Sequence, residues 1–183
     1  MKSALSFAWE VAKIAAIAFV LVVALRLFVF QPFLVRGASM EPNFHNWDYL
    51  IVDEISYRFR APERGEVIVF KFPNNPADRY IKRIIGVPGE TVRVQDGEVS
   101  VWREGQEVPL KEGSYLPSGE TPGSLEVELG ESEYFVMGDN RRYSSDSRNW
   151  GTLERDLIIG RVFIRVFPIS AFAKVEAPEY ESL

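Results

Sequence analysis

From residue 45 onward the apolar residues of this chain recur at every second position, while the apolar-rich first 35 positions follow a helical period. A period of two puts successive side chains on opposite faces of a pleated strand. Seven such β-rich runs are present: Tyr49 to Val52, Val67 to Phe72, Tyr80 to Val87, Thr91 to Val94, Glu98 to Trp102, Tyr134 to Met137 and Ile158 to Phe167. Turn signals separate them, including Pro73-Asn74-Asn75-Pro76, Pro88-Gly89 and Gly138-Asp139-Asn140. Asp96-Gly97 between two alternating runs predicts a hairpin. No sustained 3.6-residue stripe follows residue 35, so the fold class is mainly β, an antiparallel domain with little helix. The stretch from Trp102 to Ser132 is rich in Gly, Pro, Ser and Glu and reads as a loop-rich insertion or small cap. From Glu176 the chain reads as a frayed acidic tail (176–183).

Phe7 to Phe30 reads FAWEVAKIAAIAFVLVVALRLFVF. Its uncharged core, Ile14 to Leu25, is shorter than the roughly 20 residues a bilayer requires. Lys13 and Arg26 have long stems that can carry their charges to the interfaces, and apolar character continues through Phe30. A cleaved signal peptide needs small residues after the core, where this chain has Arg26, Leu27 and Phe28. The reading is one uncleaved transmembrane helix at 7–30, after a short terminus at 1–6 and before a domain at 31–175. Basic residues on both sides leave the charge rule leaning only slightly toward an inside amino terminus.

The formal net charge of −5 and the absence of a basic patch argue against nucleic acid as a partner. With no cysteine, disulfides, thiolate metal sites and a cysteine nucleophile are excluded. His45 is the single histidine, so a multi-histidine metal site is excluded, and a Ser-His-Asp triad would need that one imidazole. It stands six residues from Ser39, which disfavours it as a base.

Three segments are unusual for plain structural sequence. In Gly37-Ala38-Ser39-Met40-Glu41-Pro42, a serine among small residues before a proline turn presents an open hydroxyl; it equally suits an ordinary loop. In Tyr80-Ile81-Lys82-Arg83-Ile84-Ile85, both strand faces are largely apolar. That favours desolvation of one cation, and a desolvated lysine becomes available as a neutral base whereas arginine does not. An edge strand with two solvated cations fits the same segment. The third, Gly138 to Gly151, alternates Asp and Arg with hydroxyls, as in a self-satisfied polar network that could hold an amine through Ser144 or Ser147. With one histidine and no cysteine, a Ser-Lys dyad is among the few nucleophilic schemes open to the chain.

These segments, in this order behind an amino-terminal anchor, resemble the type I signal peptidases of bacteria, a Ser-Lys protease family. The likeness covers nearly the whole chain. A GxSMxPT-like box falls on Gly37 to Asn43, an RGDxVxF-like box on Arg64 to Phe70, a YIKRxxGxPGD-like box on Tyr80 to Glu90, and a GDNRxxSxDSRxWG-like box on Gly138 to Gly151.

The resemblance implies Ser39 as nucleophile, Lys82 as general base, Ser144 as a hydrogen-bond partner of the Lys82 amine, and Asp146 paired with Arg148 behind them. It implies that Met40 lines the pocket for the residue before the cut and that the Ser39 N–H serves the oxyanion. No metal or cofactor is required. The implied enzyme is a signal peptidase I in the bacterial cytoplasmic membrane, single-pass, with its catalytic domain on the extracytoplasmic side. Its substrates would be preproteins with small residues, typically Ala, at the first and third positions before the cut. The departures are Asn43 for threonine, Glu66 and Glu90 for aspartate, and Tyr143 for asparagine. Gly37 stands where some members carry a serine that helps form the oxyanion hole, so the second donor would be a backbone N–H or water. The short insertion after Lys82 is more like the compact Gram-positive members. A self-cleaving repressor-type Ser-Lys protease and a non-catalytic anchored β domain are the rival readings. The first lacks its DNA-binding module here.

Overall fold

The structure, a computed structural model, describes residues 2–28, 30–116, 120–178 and 180, with backbone alone at 2–5, 21–28 and 30. Helix α1 (Lys2–Phe28) leads into β1 (Phe30–Leu34) and β2 (Tyr49–Asp53). There follow β3 (Val67–Phe72), β4 (Asn75–Gly86), β5 (Thr91–Gln95), β6 (Glu98–Arg103), β7 (Gln106–Pro109), β8 (Leu125–Glu128) and β9 (Glu133–Met137). The short helix α2 (Ser147–Trp150), β10 (Leu153–Glu154), β11 (Ile158–Phe167) and β12 (Ala173–Lys174) complete the order.

Two antiparallel sheets result. The larger runs β1-β2-β11-β3-β4-β9-β10 with β12 added to β11, and the smaller runs β7-β6-β5-β8. One apolar cluster, with Leu50, Val52, Val69 and Val162, fills one side of the large sheet, and Ile68, Phe70, Ile84 and Val136 fill the other. A third cluster joins Ile85 and Phe135 to Val92, Val94, Val99 and Val101, cementing the small sheet onto the large one. The Asp96-Gly97 hairpin forms, both residues at positive φ (53° and 88°), as a tight two-residue turn demands.

The 102–132 segment holds more structure than its composition suggests. β7 and β8 lie inside it and flank β6 and β5 to build the small sheet. Their alternating residues are mostly polar, so no hydrophobic period marked them. The tail also differs from a frayed end: Pro178 and Tyr180 cover Gly65, where an added Cβ would sit 2.8 Å from the tyrosine ring. The Tyr180 hydroxyl lies 2.8 Å from that of Tyr115. Residues 179 and 181–183 of that reading lie outside the described residues.

α1 begins earlier than the expected 7–30 helix, at Lys2, and ends at Phe28, with Phe30 already in β1. Among the described residues no helix is long and apolar enough to cross a membrane. Glu10 and Lys13 interrupt its apolar run and pair with each other at 2.7 Å.

Candidate active site

Ser39 sits on the loop between β1 and β2. The loop is closed at its neck, where Val35 N–H donates to Asp48 O and Trp47 N–H donates to Val35 O, both at 2.9 Å. Met40 and Phe44 turn inward and are 1% and 4% exposed, which anchors the loop to the core. Gly37 takes φ +91°, a conformation that costs glycine little, and its N–H donates to Asn46 Oδ1 at 3.0 Å. From the other side Asn140 donates its Nδ2 to Ala38 O at 2.9 Å and its main-chain N–H to Ser39 O at 3.0 Å. The backbone around the hydroxyl is therefore held from outside the loop. Asn46→Ala is expected to lower kcat roughly fivefold, the worth of one such bond, with little change in KM. Asn46→Asp keeps the acceptor and should retain most of the rate; steady-state kinetics on both variants checks this.

Lys82 lies on β4 opposite Ile68 of β3. On the other side the pairing with β9 ends at Arg83↔Met137. The main chain beside Lys82 therefore faces the loop beginning at Gly138 instead of a strand. The side chain is 3% exposed, and Nζ lies 2.8 Å from Ser39 Oγ and 2.9 Å from Ile81 O. Burial pushes the Lys82 pKa down to about 8, against the charges of Asp146 and Asp139, which favour the ammonium.

Both cations of the Lys82-Arg83 pair are buried, on opposite faces of one strand. Arg83 meets Asp139 through two bonds, Nε to Oδ1 at 2.8 Å and Nη2 to Oδ2 at 2.7 Å, and gives Nη1 to Gly65 O. Its guanidinium lies over the Tyr115 ring, 4.2 Å from the centroid. Asn43 donates to Asp139 Oδ2 at 2.8 Å, linking the nucleophile's loop to this pair. The asparagine standing where threonine is frequent thus has a defined job here.

Asp146 is fully buried and caps α2, with Asn149 closing the capping box. It accepts from Arg148 Nε at 2.8 Å, from Arg148 Nη2 at 2.9 Å and from Gly138 N–H at 3.0 Å. Arg148 also donates to Arg141 O at 2.7 Å, which closes the loop on itself. Ser147 Oγ accepts the Val136 N–H at 3.0 Å and ties the loop to β9.

Gly138 is where these parts converge. A Cβ there would fall 2.1 Å from Ser144 Oγ and 2.4 Å from Ser39 O. The second contact is backbone and cannot swing away. Gly138→Ala is therefore expected to displace the Ser39 loop and reduce activity at least tenfold while the far sheet stays folded. Activity assays alongside circular dichroism would test it.

Three expectations differ from what the structure holds. Ser144 is buried beside Ser39 and Gly138, but its hydroxyl bonds neither Lys82 nor any other group among the described residues; the second contact of Nζ is Ile81 O. Met40 packs in the core rather than lining the cleft, because the Gly37 turn aims it inward. The Gly37 N–H is committed to Asn46 and is not offered to substrate.

A cavity of about 410 Å³ opens beside the Ser39–Lys82 pair. Phe33, Val35, Leu50, Val69 and Ile81 give it an apolar lining, and Ser145 adds an exposed hydroxyl. Its lining brings together the end of β1 and the segment after it, residues 79–82 of β4, Leu50 of β2 and Val69 of β3. Sequence reading passed over Asp139, Asn46, Asn140 and Ser145. Asn46 carries no signal in the chain; the other three lay within a segment already singled out.

Residues 8–167 match the family model described as signal peptidase, peptidase S26. The chain is 38% identical over 165 residues to "Probable signal peptidase I-2" of Synechocystis sp., covering 87% of this chain and 73% of that protein. It is 36% identical to "Signal peptidase I" of Leptolyngbya laminosa (91% and 83% covered) and 32% identical to "Signal peptidase IB" of Staphylococcus aureus (90% and 92% covered). The chain therefore belongs to the signal peptidase family, peptidase S26. It is a serine endopeptidase of the signal peptidase I type.

Proposed function

We propose that this protein removes signal peptides from exported preproteins, with Ser39 as nucleophile and Lys82 as general base. The observation that carries the reading is the 2.8 Å contact between the buried Lys82 Nζ and Ser39 Oγ. Neutral Lys82 takes the Ser39 proton as Oγ attacks the scissile carbonyl. The resulting ammonium gives that proton to the departing amine, and water, activated by the same lysine, then cleaves the acyl-enzyme. The main-chain N–H of Ser39 is the oxyanion donor in this scheme. Asp146 with Arg148, and Asp139 with Arg83, hold the surrounding frame rather than touching substrate.

The cleft suits an extended peptide. Residues 79–82 of β4 pair only with β3, since the β9 register starts at Arg83, and β1 is the outermost strand of its sheet. A substrate strand can bond to these free edges, so backbone contacts supply affinity. The apolar part of the lining suits uncharged side chains at some positions before the cut, which fits an Ala-X-Ala-like site.

The same reading makes α1 a membrane anchor, with the β domain on the extracytoplasmic side. Support comes from its 27 residues, about 40 Å of helix, and from Phe7, Trp9, Ile14 and Phe19, each more than 60% exposed. Leu34, Tyr49 and Phe167 form an exposed apolar row across β1, β2 and β11, beside exposed Trp47. Phe44 is buried and Phe33 packs on the core, so neither belongs to this row.

The direct test is incubation of detergent-solubilised protein with a preprotein, followed by mass determination of the products. The expected result is a single cut after a small residue, lost in Ser39→Ala. A Ser39→Ala protein that cuts at the same site would overturn the assignment.

A further inference from the structure

Four arginines with described side chains, Arg36, Arg58, Arg79 and Arg155, reach no carboxylate within 4 Å among the described residues, and two of them, Arg36 and Arg79, line one cavity. Arg60, Arg64, Arg83, Arg141, Arg148 and Arg165 each reach a carboxylate within 4 Å, as do four others. Arg36 and Arg79 reach none among the described residues. Arg79 spends Nη1 on the carbonyls of Pro76, Ala77 and Asp78, and Arg36 is exposed. Both line the 410 Å³ cavity that contains Ser39 and Lys82, and that lining includes no Asp or Glu. In a chain of net charge −5, two guanidinium groups without a carboxylate partner among the described residues thus line the cleft that holds Ser39 and Lys82.

Their placement on the two walls gives them a reach along the substrate. Arg36 lies three residues before Ser39, and Arg79 three residues before Lys82. Along β4, at about 3.3 Å per residue, the Arg79 backbone is about 10 Å from that of Lys82, and Arg36 stands just before the Gly37 turn that leads to Ser39. A bound peptide would pass between the two walls, with residues within about three positions of the scissile bond facing these cations. A guanidinium accepts no hydrogen bonds and binds a carboxylate in a two-pronged fork. A lysine or arginine placed there in the substrate would instead face like charge.

We propose that Arg36 and Arg79 form a carboxylate subsite that selects preproteins carrying an acidic side chain close to the cut and disfavours those with a basic one. The proposal rests on the reading of Ser39 and Lys82 as the peptidase pair. A peptide carboxylate is favoured over a lipid phosphate because the cations line the nucleophile's own cleft.

The test uses the full chain in neutral detergent and a peptide series bearing Glu, Gln or Lys at each of three positions on either side of one cut. Expected is a position at which kcat/KM falls in the order Glu, Gln, Lys, with about tenfold between the ends, as for a partly exposed charge pair. The span should shrink in 0.5 M salt. Arg36→Gln and Arg79→Gln should each compress it, and the double variant should bring the ratio close to one. Cleavage of the whole series at equal rates would overturn the subsite while leaving the peptidase reading intact. Failure to cut any peptide, the neutral one included, would overturn that reading and the subsite with it. If the variants keep the Glu-to-Lys ratio and alter only the response to added anionic phospholipid, the arginines serve a lipid headgroup and the proposal is wrong.

Discussion

Replacing Lys82 by methionine is expected to cut peptidase turnover by about 10²–10⁴-fold, the usual worth of a general base, and at the same time to raise the melting temperature. The two effects share one cause. The ammonium is buried, and its pKa falls from 10.5 to about 8 because desolvation disfavours the charged form. A shift of that size corresponds to about 3 kcal/mol of destabilisation, fully present below pH 8, where both folded and unfolded chains carry the proton. Between pH 8 and 10.5 the unfolded chain binds more protons than the folded one, so stability rises with pH. Above 10.5 the penalty is gone. The stability gain of Lys82→Met should therefore be largest at neutral pH and vanish toward pH 10.5. Wild-type activity should rise through about pH 8 as the amine becomes neutral. Lys82→Arg should stay inactive across the range, since arginine does not deprotonate. A Lys82→Met protein that still processes preprotein, or a wild-type profile flat from pH 6 to 10, would remove the lysine from its role.

The second large effect is structural. Asp139→Ala leaves the Arg83 guanidinium buried without its carboxylate, and loss of one partner from such a pair costs about 3–5 kcal/mol. Urea unfolding should report that loss as a lower midpoint with little change in slope. Asp139 also receives Asn43, so the Ser39 loop should loosen and activity should fall even where the chain stays folded. The double variant Arg83→Met with Asp139→Leu removes both charges and should recover most of the stability but not the activity. If single and double variants lose equal stability, the pair is not the source of the effect.

The sheet was legible wherever apolar residues alternate: the seven expected strands all appear, Val67–Phe72 and Ile158–Phe167 with unchanged ends. β1, β7, β8, β10 and β12 were not. They are two to five residues long and largely exposed, and pairing with a neighbouring strand, not an apolar alternation of their own, makes them strands. Tyr180 carries no local signal either, because its partner surface is built from Gly65 and Tyr115.

At the site the division falls between neighbouring residues. One histidine and no cysteine already narrowed the nucleophilic schemes, and the apolar faces around Lys82 and Arg83 already favoured a desolvated cation. Which cation would serve as base, and which as strut, rested on chemistry alone at that level. The fold assigns each a partner, because adjacent residues of a strand point to opposite faces. β9 pairing ends at Arg83, leaving Lys82 to face Ser39 and Arg83 to face Asp139. Period and composition belong to the chain itself; these two partnerships span 43 and 56 residues and exist only once the sheet has closed.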